Sequence, residues 1–266
     1  MMPAMKNALI ALSLLSQPML YALPSAEQVE AAQNCPCAQL LEKFGISPHA
    51  SKAEIVLEAQ RLWLQRDRER WEFDQRFEPM KAELMPLFDR MGMLQKAEPA
   101  RSSYDYALVV GALAGTVESR IRYLEDLIAQ GIEVREIVFL TGERPLLPSE
   151  REKTGVETER QMAEWVYERS LLPRSIPVRF IDAPMKGIKR PGLAETITLW
   201  LEGKPQPGSF LLLSSQPYVS YHDAIARYFL KEGFEGDSIG PAVKGSPSAA
   251  LLLDTFAREL FWRNSK

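Results

Sequence analysis

Two adjacent serines and a histidine lie close together within residues 210–230, FLLLSSQPYVSYHDAIARYFL. The chain has only two histidines, and His222 is a candidate acid or base because histidine changes its charge near neutral pH. A serine paired with it would suit nucleophilic catalysis, but neither Ser214 nor Ser215 stands in the Gly-x-Ser-x-Gly turn of α/β hydrolases. We therefore predict that Ser215, Gln216 and His222 form one wall of a ligand pocket. The alternative is a surface histidine at the start of a helix.

A glycine-rich segment, GALAGT at residues 111–116, follows another predicted strand. Glycines let backbone amides approach a ligand, and the start of the following helix favours a negative charge. The segment lacks the Lys-Ser/Thr of a Walker loop and the Gly-x-Gly-x-x-Gly spacing of a dinucleotide site. It predicts an anion-binding loop with Gly111, Gly115 and Thr116 as ligand-binding residues, with Thr116 also as the helix cap. A plain turn between strand and helix is the alternative.

The segment LTGERPL at residues 140–146 holds further candidates. Gly142 lets the chain leave a strand sharply, and Arg144 has the donors to hold an anion through two parallel hydrogen bonds. Glu159 follows at the start of the next helix and is the second candidate acid or base. A carboxylate at that position would also stabilise the helix dipole without any catalytic role, so both interpretations stay open.

A basic loop and the helix after it complete the candidate site. The loop at residues 185–192 carries Lys186, Lys189 and Arg190, and Thr196 lies in the helix. Arg190 and Thr196 are predicted ligand-binding residues, with a solvated basic loop as the alternative. No group of His, Asp or Glu residues has the spacing of a metal site, so no metal is predicted.

These residues need a fold that brings distant loops together. From residue 104 onward, short apolar strands alternate with amphipathic helices, which predicts an α/β fold with a parallel sheet and helices on both faces. The predicted strands are residues 106–110, 136–140, 178–181, 210–213 and a weaker one near 238. Because ligands bind beyond the carboxyl ends of parallel strands, the candidate residues should meet at one edge of this sheet.

Residues 27–98 are predicted to form a helical preamble, and residues 104–266 the main domain. Ser51 is a good N-cap for a helix that we expect to run to about residue 77. Pro79 separates it from a second helix that continues to residue 94. The two helices predict a helical hairpin packed against the main domain.

The first residues indicate export. Lys6 precedes an apolar stretch at residues 8–15, and Ala22 suits a cleavage point, so residues 1–22 have the features of a signal peptide. The apolar run is shorter than the roughly 20 residues of a spanning helix. We expect a periplasmic or secreted protein, with a membrane anchor facing the periplasm and a buried N-terminal helix as alternatives. Membrane proximity is expected through this segment.

Charge and cysteine content exclude other classes of function. The chain of 266 residues has a formal net charge of −3 and no basic stripe with aromatic residues, so nucleic acid is not expected as a partner. Cys35 and Cys37 form a lone Cys-Pro-Cys, which lacks the second pair of a zinc site. A disulfide formed after export and two incidental thiols both fit this pattern.

Five segments, in order, resemble the YdcF-like family, a SanA/ElyC-like domain of unknown function. They are YALVVGALAGTVESRIRYL, IVFLTGERPL, TERQMAEWV, RPGLAETITLW and LLLSSQPYVSYHDAIAR, and the resemblance covers residues 104–230. The chain departs from the common form in having Glu195-Thr196-Ile197 where others have Thr followed by Glu-Asn. It also has SSQPYVSYH in place of the shorter Thr-Ser-x-x-His. The family pattern falls on Gly111, Gly142, Glu159, Thr196, Ser215, His222 and Arg227.

The resemblance implies a Rossmann-like fold, an association with the cell envelope, and S-adenosylmethionine as a candidate cofactor. The leading prediction is an exported protein that binds an anionic small molecule and acts on a phosphorylated or glycan-linked envelope intermediate. Glu159 and His222 would move protons in that reaction. A transferase that binds S-adenosylmethionine or a nucleotide, and a non-enzymatic envelope protein with the helical preamble as its partner surface, are the alternatives.

Overall fold

Five apolar segments form strands, β1 Ser103–Val110, β2 Glu133–Gly142, β3 Val178–Ala183, β4 Ser209–Leu213 and β5 Glu235–Ile239. All five are parallel and lie in the order β3-β2-β1-β4-β5 in the computed structural model, which describes residues 35–66, 68 and 72–265. Parallel strands are buried on both faces, and the β4 residues 210–213 are accordingly inaccessible to solvent. The predicted α/β fold is confirmed and is Rossmann-like.

Nine α-helices and one 3-10 helix lie within the described residues. The helices are α1 Pro36–Lys43, α2 Lys52–Trp63, the 3-10 helix Gln75–Met80, α3 Lys81–Arg90, α4 Ala114–Ala129, α5 Pro148–Thr154, α6 Glu159–Glu168, α7 Leu193–Glu202, α8 Val219–Phe229 and α9 Ala249–Asn264. None of them is long and apolar enough to cross a membrane. The predicted signal peptide or anchor, residues 1–22, lies outside the described residues.

The two faces of the sheet carry separate apolar clusters because side chains alternate along each strand. In β1, Ala107 and Val109 join the cluster with α4 and α6. The intervening Leu108 and Val110 join the cluster with α7 and α8. Helices therefore cover both faces, as predicted.

The helical preamble packs on the last helix of the chain. Trp63 is fully buried, and its ring lies 6.1 Å from that of Phe256 in α9. Ser51 caps α2 as predicted, but α2 ends at Trp63 instead of near residue 77. The backbone N–H of Gln65 donates to Asp254 Oδ1 in α9 at 2.8 Å. This contact with α9 accompanies the end of α2. The predicted helical hairpin is not confirmed.

The strand order reverses between β1 and β4, since β2 and β3 lie on one side of β1 and β4 and β5 on the other. In open α/β sheets, ligands bind at such a reversal, beyond the carboxyl ends of the strands. The loops at residues 111–113 and 214–218 follow β1 and β4. We call the space between these two loops the crevice.

Candidate functional site

Arg144 lies between two buried glutamates beyond the carboxyl end of β2. Its Nη1 donates to Glu150 Oε2 at 2.9 Å, and its Nε lies 3.6 Å from Glu159 Oε1. Arg144 and Glu150 are each 7% exposed and Glu159 is 8% exposed. The charge of Arg144, the predicted anion clamp, is therefore already balanced by carboxylates of the protein itself.

Glu150 occupies the position where an external anion was predicted. Its Oε1 accepts a hydrogen bond from the Ala114 amide at 3.1 Å, and its Oε2 accepts one from the Leu147 amide at 3.0 Å. Burial acts to raise the pKa of Glu150, but the hydrogen bonds from Arg144 and Leu147 outweigh it and the pKa is lowered. Helix α4 begins at Ala114, so the prediction that Thr116 caps it was wrong.

Glu159 is the buried acid of the site. Burial raises its pKa, and this effect exceeds the opposing effects of the Arg144 charge and the Gly142 amide. That amide donates to Glu159 Oε2 at 3.2 Å, and a Cβ placed on Gly111 would lie only 3.0 Å from Glu159 Oε1. The predicted residues Gly111, Gly142, Arg144 and Glu159 thus come together, and the raised pKa suits proton transfer.

Arg120, which sequence reasoning did not single out, joins β1 to the loop after β4. It is only 2% exposed. Its Nη1 donates to the carbonyls of Val110 at 2.5 Å and Gly111 at 3.2 Å, and its Nε donates to Ser215 Oγ at 3.1 Å. A signal was present in the sequence: Arg120 lies three residues after Val117 and therefore falls on the apolar face of α4.

Ser214 and His222 form a hydrogen-bonded pair on the far side of the crevice. Ser214 Oγ lies 2.7 Å from His222 Nδ1, and the Ser214 amide donates to the Ile239 carbonyl at 2.8 Å. The imidazole also lies between two tyrosine rings, with centroids 5.9 Å from Tyr218 and 5.1 Å from Tyr221. These contacts fix the orientation of the ring, and the serine that contacts the histidine is Ser214 rather than Ser215.

Two predicted ligand-binding side chains bond within the fold instead. Gln216 Nε2 donates to the carbonyls of Gly92 at 2.8 Å and Gln95 at 2.9 Å, which ties the loop after β4 to the helical preamble. Thr196 is buried, and its hydroxyl donates to the Leu193 carbonyl at 3.0 Å within α7. The Gln216 amide group therefore points toward the preamble rather than into the crevice.

The other two predicted ligand-binding residues are exposed. Gly115 lies in the first turn of α4, and a Cβ added there would meet no atom within 4 Å. Arg190 lies on the loop after β3. Both lie beyond carboxyl ends of strands, at the edge where the crevice opens.

None of the protein families, curated proteins or solved structures compared with this chain matches it. The resemblance to the YdcF-like family therefore stays a prediction. Within the part of the chain that the structure describes, no group of three or more His, Cys, Asp or Glu residues is arranged to hold a metal ion.

Proposed function

We propose that the protein binds a small anionic molecule in the crevice and that Glu159 and His222 move protons on it. The observation that carries the proposal is a continuous set of contacts across the reversal of strand order. Glu159 lies against Gly111, the Gly111 carbonyl accepts a bond from Arg120, and Arg120 donates to Ser215. A buried acid, a buried cation and a hydroxyl thus line the part of the sheet where such folds bind ligands.

The two helices that start at the crevice differ in how their N-termini are satisfied. The first amide of α4 donates to Glu150, whereas no side chain of the described residues caps α8, which follows Tyr218. Helix N-termini attract negative charge. We therefore place the negative group of the ligand at the start of α8, beside Ser215, and not in the glycine-rich loop. Arg120 supplies a positive charge behind that hydroxyl.

The acid and the base approach the crevice from opposite sides. Glu159 lies on the β1–β2 side of the crevice, where it contacts Gly111 and Gly142. His222 lies on the β4 side, where it contacts Ser214. A carboxyl group on one side of a ligand and an imidazole on the other suit general acid–base catalysis. As the substrate class we propose phosphorylated or glycan-linked cell-envelope intermediates, in an exported or membrane-anchored protein.

A second candidate is a nucleotide- or S-adenosylmethionine-binding transferase. The strand order β3-β2-β1-β4-β5 and the glycine turn after β1 are shared with dinucleotide-binding folds. This argument rests on fold analogy, since one fold serves many reactions. It therefore ranks below the anion proposal.

Isothermal titration of the full chain tests both candidates. The compounds are sugar phosphates, nucleotide sugars and S-adenosylmethionine, and the proteins are wild type, Ser215→Ala and the control Ser170→Ala. Ser170 donates to the Tyr167 carbonyl before β3, away from the crevice. We expect a phosphorylated compound to bind about tenfold more weakly to Ser215→Ala, for the loss of one charge-assisted hydrogen bond, and equally to the control.

Two results would contradict the anion proposal. One is that no phosphorylated compound binds. The other is that Ser215→Ala and Ser170→Ala both bind with the wild-type affinity. Binding of S-adenosylmethionine alone would favour the transferase.

A further inference from the structure

The loop between β3 and α7 forms a tight turn with an isoleucine at its tip. The backbones of Lys186 and Lys189 exchange two hydrogen bonds, at 3.2 and 3.1 Å. Gly187 has a φ of +61°, a conformation that glycine adopts without strain. Ile188 is 99% exposed. We call residues 186–189 the basic turn, and its hydrogen bonds hold an apolar side chain away from the protein between two lysines.

Positive charge surrounds this isoleucine in a chain whose net charge is −3. Lys186 and Lys189 are exposed and form no ion pair with any described residue. Arg190 follows directly and is also exposed. The positive charge is therefore local, and it is concentrated around the most exposed large apolar side chain of the described residues.

The basic turn is attached to the edge of the sheet that carries the crevice. Pro191, which follows it, packs so closely on Gly142 that a Cβ there would lie 2.2 Å from Pro191 Cγ. Gly142 in turn donates to Glu159. The basic turn thus projects from the carboxyl edge of the sheet, and the packing of the Pro191 ring on Gly142 fixes its base next to the candidate site.

We propose that the basic turn docks the protein on an anionic phospholipid surface. Ile188 enters the boundary between headgroups and acyl chains, and Lys186 and Lys189 contact lipid phosphates while their stems cover apolar surface. A protein partner fits less well, because a single apolar side chain is far smaller than the contiguous patch of a protein interface. This contact is additional to the predicted N-terminal segment and does not depend on the proposed function of the crevice.

Vesicle co-sedimentation of the full chain tests the proposal. The vesicles contain phosphatidylglycerol and phosphatidylcholine, or phosphatidylcholine alone. We expect wild type to bind the anionic vesicles more tightly. Ile188→Asp should weaken that binding about tenfold or more, and Lys186→Gln/Lys189→Gln about 25-fold, at about fivefold for each lysine near an anionic surface.

Matched controls separate the basic turn from general exposure and charge. Leu171, 87% exposed, lies before β3 at the opposite edge of the sheet, so Leu171→Asp should bind like wild type. Lys52→Gln/Lys244→Gln removes two exposed lysines outside the turn and should also bind like wild type. All variants keep residues 1–34, so any binding through that segment is common to them.

Equal vesicle binding by wild type, Ile188→Asp and Lys186→Gln/Lys189→Gln would overturn the proposal. Equal losses in Leu171→Asp and Ile188→Asp would also overturn it. Circular dichroism and thermal unfolding of each variant verify that a loss of vesicle binding is not a loss of fold, and the exposure of all substituted residues predicts unchanged unfolding.

Discussion

Replacement of Glu159 by glutamine should stabilise the fold and abolish the proposed proton transfer. The carboxylate is buried, and its ion pair with Arg144 is long, at 3.6 Å. A glutamine keeps an oxygen that can accept the bond from the Gly142 amide and removes the cost of burying a charge. Arg144 keeps the shorter pair with Glu150, so no cation is left uncompensated.

We expect Glu159→Gln to raise the unfolding free energy by about 1 kcal/mol at pH 8, or about 2–4 °C in Tm for a chain of this size. The pH dependence has a definite sign. Burial raises the pKa of Glu159 above its ordinary value of 4.5. Its contribution to stability is therefore fully present below that value and is lost as the pH rises through the raised pKa. The advantage of the glutamine variant should accordingly grow from pH 5 to pH 8.

Glu150→Gln is the matched control, because Glu150 contacts the same guanidinium. Its carboxylate also accepts bonds from the amides of Ala114 and Leu147, and its loss leaves Arg144 without its shorter pair. We expect Glu150→Gln to lower the unfolding free energy by about 3–5 kcal/mol. The pKa of Glu150 is lowered below 4.5, so the stability it contributes is present above that value and is lost as the pH falls through the lowered pKa.

Guanidinium unfolding of wild type, Glu159→Gln and Glu150→Gln at pH 5 and pH 8 measures these differences. If Glu159→Gln is destabilised as strongly as Glu150→Gln, Glu159 is a structural ion-pair partner. The interpretation of its carboxyl group as a functional acid would then be refuted.

Three further substitutions test the geometry around the crevice. Arg120→Met should lower the unfolding free energy, measured with denaturant, by about 2–4 kcal/mol, because it leaves buried carbonyls unpaired. The exposed Arg122→Met on the same helix should change it by no more than about 0.5 kcal/mol. Equal effects of the two substitutions would refute the bridging role of Arg120. Gly142→Ala should lower the unfolding free energy by about 1–3 kcal/mol, since the added Cβ would overlap Pro191. An unchanged Tm would contradict this packing. Gly115→Ala should raise stability by about 0.5–1 kcal/mol, since the added Cβ meets open space; a destabilised variant would contradict the helical start at residue 114.

The order of the five strands along the chain could be predicted from the sequence because local patterns determine it. Apolar runs predicted the strands, and Thr158 and Gln161 form a capping box at the start of α6. The end of α2 could not be predicted in this way. It depends on the bond between Gln65 and Asp254, residues that lie far apart in the sequence.

The sequence predicted that several candidate residues meet at one edge of the sheet, but it did not predict most of their contacts. Gly111, Gly142 and Glu159 meet, as the convergence of loops at one sheet edge requires. Glu150 was missed because it lies in the short helix α5, outside the segments that the sequence pattern singled out. Gln216 has a polar side chain that suits ligand binding. Only the position of the helical preamble shows that its amide group forms hydrogen bonds there instead.

A crystal structure of the full chain soaked with the tightest phosphorylated compound from the titration is the most direct test of the crevice. We predict ligand density between residues 111–116 and 214–222, with the negative group near Ser215 and the start of α8. Density at the amino edge of the sheet, or density that touches neither loop, would contradict the assignment.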